Sequence, residues 1–90
     1  MHPSAVVRVN HAIAMSYAQS VERALALLQT IEKEPGMQAY QSFYVARADL
    51  HSRLGKDNLA RSDFEKAIKL SDNKARSAFL KQKLESLQTQ

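Results

Sequence analysis

Three histidines, His2, His11 and His51, are the residues best suited to proton transfer or metal binding. They stand far apart, and none is paired at the spacing a metal site uses. His51 follows Arg47 by four residues within one predicted helix, a structural rather than a ligating arrangement. The chain has no cysteine, which excludes disulfides and thiolate metal sites and suits a reducing compartment. Serines are plentiful, yet no nucleophile turn or Ser/His/Asp set is suggested. Two glycines, Gly36 and Gly55, cannot build a phosphate-cradling loop. No catalytic residue, metal ligand or cofactor is expected, and the chain reads as a non-enzyme.

Binding is what remains. A net charge of +4 and a pI near 9.6 invite a nucleic-acid reading. In the second half, however, Arg47, Arg53, Lys56, Arg61, Lys66, Lys69, Lys74, Arg76, Lys81 and Lys83 alternate with Asp49, Asp57, Asp63, Glu65, Asp72 and Glu85. Asp57–Arg61 and Glu65–Lys69 are spaced four apart, as pairs on a solvated helix are. For the densest basic stretch, residues 74–83, neither an aromatic stacking platform nor a helix–turn–helix is expected, so this chain is not read as binding DNA by itself. With 90 residues, 44% of them hydrophobic and 24% charged, the composition fits one small globular domain. No apolar run approaches the ~20 residues of a membrane span. The start MHPSAVVRVN lacks the basic flank and apolar block of a signal peptide. A cytoplasmic protein without membrane contact is the expectation.

The spacing of apolar residues predicts an all-α chain of about five helices, at 5–18, 20–33, 38–54, 57–70 and 74–87. Pro3 and Ser4 stand at the first entry, and Ser20 is placed to cap the second helix. Glu34-Pro35-Gly36 ends that helix, and Gly55 ends the third in left-handed geometry. Asp57 is expected to cap the fourth, with Ser71-Asp72-Asn73 as the turn before the fifth. No sustained period-two alternation predicts a strand.

An internal repeat runs through this pattern. Ala24 matches Ala60, Leu28 matches Phe64, and Ile31 matches Ala67, an offset of 60 − 24 = 36 positions. The same frame sets His11-Ala12 over Arg47-Ala48 and Ala18 over Leu54. That period lies near the ~34 residues of tetratricopeptide repeats, which the second copy resembles through Tyr44, Leu54-Gly55, Ala60, Phe64, Ala67 and Leu70. Ala24, Leu28, Tyr44, Leu54, Gly55, Ala60, Phe64 and Ala67 are therefore the predicted repeat-defining core. Arg47 takes a usually apolar position, Asp72 stands where proline is common, and Gln19 replaces the first turn glycine. A generic antiparallel helical bundle is the alternative. The fifth helix, with Ala75, Ala78, Phe79, Leu84 and Leu87, reads as a cap over the last of two hairpins.

In such arrays the first helix of each pair lines the binding face. Val6, Val9, Ile13 and Tyr17 form an apolar stripe on the first helix, read either as core or as a docking face through which the isolated domain would also pair with itself. The third helix is more polar there, with Val45, Asp49, Ser52 and Arg53. The candidate partner-binding residues are thus Val6, Val9, Asn10, Ile13, Tyr17, Asp49 and Arg53. Val9 and Ile13 occupy the slots where chaperone-binding repeats clamp a carboxylate, which disfavours a chaperone adaptor.

The segments PSAVVRVNHAIAM, ERALALL, YQSFYVARADLHSRLGKDNLARSDFEKAIKL and NKARSAFLKQKLESL together resemble a narrower group. It is the helical, tetratricopeptide-like extension at the carboxy terminus of some extracytoplasmic-function RNA polymerase sigma factors. The resemblance covers residues 3–87 and is most specific at Asn10 with Ala12, Ala46-Arg47-Ala48-Asp49-Leu50, Arg53-Leu54-Gly55, and Phe79-Leu80 with Leu84. His11 stands where that group usually has arginine, and Ala18-Gln19-Ser20 replaces a glycine turn. The resemblance implies an accessory domain in bacterial transcription initiation, docked on the sigma body or on a regulatory protein. Core RNA polymerase and promoter DNA would then be bound through regions outside this chain. A free-standing repeat scaffold with a peptide or protein partner is the rival reading.

Overall fold

Positive φ occurs at two glycines, Gly36 (86°) at the entry to a 3-10 turn and Gly55 (76°) just past the end of a helix. A computed structural model describes residues 3–88 as α1 Pro3–Ala18, α2 Val21–Ile31, a 3-10 turn Met37–Ala39, α3 Gln41–Arg53, α4 Asp57–Lys69 and α5 Lys74–Gln88. The expected all-α architecture is what forms: α1 packs on α2, α3 on α4, and α5 closes the end against α4. His2 lies outside the described residues, as does the side chain of Ser4. No helix among the described residues is long and apolar enough to cross a membrane.

The turns follow from local hydrogen bonding. Between α1 and α2 no left-handed residue is needed. Ser20 is fully extended (φ −160°, ψ 156°), and its hydroxyl accepts the Arg23 N–H at 3.1 Å. Gln19 can therefore stand where a glycine was looked for. After α3 the Gly55 N–H donates to Ser52 O (3.0 Å) and the Lys56 N–H to His51 O (2.9 Å), the paired closure of a Schellman turn. A Cβ at Gly55 would meet nothing within 4 Å, so glycine is required there for its dihedral alone. Before α5, Asn73 Oδ1 accepts the Arg76 N–H at 3.1 Å.

Three expectations need correction. Asp57 is the first residue of α4 and does not cap it; Lys56 holds the cap position without a side-chain hydrogen bond. Asp57 still lies in the first turn, where a carboxylate complements the helix dipole. The third helix starts at Gln41 instead of 38, because extended Tyr40 (φ −91°, ψ 104°) separates it from the 3-10 turn. Among the described residues neither Asp57–Arg61 nor Glu65–Lys69 closes as an ion pair; Arg61 reaches Asn58 Oδ1 at 3.4 Å.

The 36-residue frame is realised in burial. Ala24 and Ala60, Leu28 and Phe64, Ile31 and Ala67, and Ala12 and Ala48 are all buried pairs. Small residues let each helix pair approach, and Phe64 fills the space between helices. Leu54 is only half-buried and its counterpart Ala18 is exposed, so that pair contributes little core. Tyr44 is buried and meets Phe43 edge-to-face, 5.3 Å between centroids at 89°. Because α3 lies between both pairs, Phe43, Tyr44, Ala46, Ala48 and Leu50 are buried on several sides of it. Replacing Phe64, 3% exposed, by alanine is expected to cost about 3–5 kcal/mol. The denaturant midpoint should fall with little change of slope; an unchanged midpoint contradicts this placement.

Candidate functional site

Hollows flank α3 on both sides. The first is a trough of about 330 Å³ between α1, α3 and α5, lined by Val9, Asn10 and Ile13, by Val45 and Asp49, and by Phe79. A second hollow of about 180 Å³ shares Asp49, Phe64 and Lys83 with it and continues toward Ser52 and Leu87. On the opposite side, a cleft of about 550 Å³ between α2, α3 and α4 is lined by Glu22, Leu25, Arg47, His51, Asp63 and Lys66.

Four candidate residues, Val9, Asn10, Ile13 and Asp49, meet in the trough. The apolar stripe on α1 is not one face. Val9 is 2% exposed, Val6 and Ile13 are half-buried, and Tyr17 is 73% exposed. The cause is helical drift. Each i to i+4 step turns a side chain by about 40°, which puts Tyr17 about 80° round from Val9. Ala12 and Ser16 fill the inward positions that the stripe vacates.

Tyr17 has a different partner. The Arg53 guanidinium lies 4.4 Å from its ring centroid, with Nη1 donating to Ser16 Oγ at 3.0 Å and facing Asp49 Oδ2 at 3.5 Å. Arg53 thus ties the end of α3 to the end of α1. Exposed Phe79 corrects the reading of residues 74–83 as devoid of a stacking aromatic: its ring lies 5.3 Å below Lys83 Nζ.

The cleft explains why arginine holds an apolar repeat position. Arg47 donates through Nε and Nη2 to the two Asp63 oxygens, at 3.1 and 2.9 Å, and its Nη1 meets Glu32 Oε1 at 3.0 Å. The guanidinium also lies 4.9 Å from the Phe43 ring and 5.6 Å from the Tyr44 ring. Burial alone lowers the Arg47 pKa, but hydrogen bonds and charge from Asp63 and Glu32 outweigh it and raise it. Asp63, grouped with solvated charges in the sequence, is buried. The available signal was its place on the Ala60–Phe64–Ala67 face, three residues after Ala60. His51 Nε2 stands 3.7 Å from Asp63 Oδ2, and its buried Nδ1 has no hydrogen-bond partner among the described residues. Among the described residues no cluster of three or more histidine or acidic side chains is arranged to hold a metal.

Over 87 residues the chain is 31% identical to an uncharacterized protein of Rhizobium meliloti (strain 1021), a match covering 97% of this chain and 20% of that protein. The chain therefore spans about a fifth of the length of the curated relative it matches. No protein-family model matches the chain, and no solved structure does.

Burial pushes the His51 pKa below its ordinary 6.5; the Asp63 charge opposes this, while Arg47 and Lys56 add to it. The unfolded chain then binds this proton more readily than the folded one, so His51 contributes stability above pH 6.5 that is lost as pH falls below it. His51→Gln should flatten the rise of stability with pH just below 6.5, read from urea midpoints. An unchanged slope would show that His51 does not titrate differently on folding.

Proposed function

We propose that this chain is the accessory interaction domain of a bacterial extracytoplasmic-function sigma factor, built as two tetratricopeptide-like hairpins and a capping helix. In this reading the trough docks on the sigma body or a regulatory protein in the cytoplasm. Core polymerase and promoter DNA are engaged by other regions of the full-length protein. The domain itself has no catalytic role and needs no cofactor.

One observation carries the reading. The similarity to the Rhizobium meliloti protein runs through 97% of this chain but only 20% of that relative. In that protein the same unit is thus one part of a much longer chain, as an accessory domain is. The Schellman turn at Gly55 and the buried alanines at Ala60 and Ala67 support the hairpin assignment. The trough, where Val9, Asn10, Ile13 and Asp49 meet, supports a docking role. A free-standing peptide-binding scaffold would use the same trough, but it leaves the size of the relative unexplained.

The test uses that relative. Purified with core RNA polymerase, it should bind the core and support promoter-dependent transcription. Deleting the region matched by this chain should change transcript yield without abolishing core binding. Failure of the intact protein to bind core polymerase or to initiate transcription would overturn the sigma-factor reading.

A further inference from the structure

The two walls of the trough differ in charge. Its floor is apolar, with Val9, Ile13 and Val45 backed by Phe64. On the α3 wall, Asp49 faces Arg53, so the carboxylate is already partnered. The α5 wall presents Arg76, Phe79 and Lys83 at positions three and four apart, hence on one helix face. Phe79 is 53% exposed, and neither Arg76 nor Lys83 forms an ion pair among the described residues. Elsewhere Arg8 pairs with Glu34, Arg47 with Glu32 and Asp63, and Arg53 with Asp49. Lys74 and Lys81 add further positive charge to α5, against the single acid Glu85.

We propose that the trough takes an acidic amphipathic segment of a partner protein. Its apolar side chains lie on Val9, Ile13 and Val45, and its carboxylates face Arg76 and Lys83. This rests on reading the trough as the docking surface. An unpaired cation beside an apolar floor selects a segment that supplies both an apolar stripe and a negative flank. Nucleic acid fits less well, because the floor of the trough is apolar and, among the described residues, its only cationic lining residues are Arg76 and Lys83. A second copy fits poorly too, since a two-fold pairing through this surface would set the α5 cations of both copies near each other.

The experiment titrates the isotopically labelled 90-residue chain with two designed helical peptides of about 15 residues. Both carry the same leucine stripe, one flanked by glutamates and the other by lysines. The glutamate peptide should bind about tenfold more tightly or better at low salt, and lose affinity as salt rises. Its shifts should centre on Ile13, Val45 and Phe79. Arg76→Glu combined with Lys83→Glu should reverse the preference; both side chains are exposed, so the fold should persist, as amide spectra will verify. Equal binding of the two peptides, binding of neither, an unreversed preference in the folded double variant, or shifts centred on the opposite cleft overturns the proposal. So does tighter binding of duplex DNA in the same trough, or a dimer closed through it. Charge-reversed selection by this chain, together with a relative that fails to bind core polymerase, leaves this inference standing and removes the sigma-factor reading. Charge-blind peptide binding with an active relative does the opposite.

Discussion

The Asp63 carboxylate, 3% exposed, is buried within a domain of small core, and a charge in that position persists only when it is paired and hydrogen-bonded. Arg47 supplies both conditions through a two-point contact, and its remaining arm reaches Glu32 just beyond α2. Three segments from both helix pairs therefore meet on one guanidinium. A buried ion pair adds little net stability over a well-packed apolar replacement, but removing one partner strands the other at a cost of about 3–5 kcal/mol. Here its main consequence is geometric. The ion pair holds Arg47 so that its free arm, through Glu32, fixes the second pair against the first on the α2 side, while Arg53 bonds Ser16 and stacks on Tyr17 on the α1 side. Between these two ties α1 and α3 hold the separation that opens the trough.

The sequence and the structure agree at several positions where the controlling interaction is local, though not at Asp57, which does not cap its helix. Ser20 caps its helix, Gly55 takes left-handed geometry, and Ala12, Ala24, Ala48, Ala60 and Ala67 of the 36-residue frame are buried. Disagreement appears where the deciding contact lies across the fold. The place of Asp63 on the Ala60–Phe64–Ala67 face hinted at burial, but Arg47, the partner that makes burial tolerable, faces it from another helix. Phe43 and Leu80 belong to the core because α3 and α5 are covered by neighbours, and Met37 is buried from the 3-10 turn before α3. The stripe on α1 misled for a different reason: a four-residue beat looks constant in sequence but rotates away from the core along the helix.

Of the candidate site, Val9, Asn10, Ile13 and Asp49 were legible as a group, since the repeat frame places α1 and α3 side by side. The contribution of α5 was not. As a capping helix it was expected to carry Ala75, Ala78, Phe79, Leu84 and Leu87 as its apolar positions. Leu87 is buried and Leu84 half-buried, but Ala75, Ala78 and Phe79 are exposed, and Leu80 is buried instead. Its outer flank, with Phe79 exposed beside Arg76 and Lys83, gains meaning only from its position along the trough. The trough thus joins an apolar floor set by the repeat to a cationic edge set by the cap.

The dependence of this architecture on the Arg47–Asp63 contact is tested most directly by a double-mutant cycle of Arg47→Met and Asp63→Leu, measured by urea unfolding of the 90-residue chain. Arg47→Met strands the buried Asp63 carboxylate and should cost about 3 kcal/mol or more, whereas Asp63→Leu leaves Arg47 paired with Glu32 and should cost less. The double replacement should cost clearly less than the sum, with a coupling of at least about 1–2 kcal/mol. Single effects that add to within about 0.5 kcal/mol would contradict the account, because two residues that act independently cannot be the buried contact that holds Arg47 in reach of Glu32 and the first helix pair.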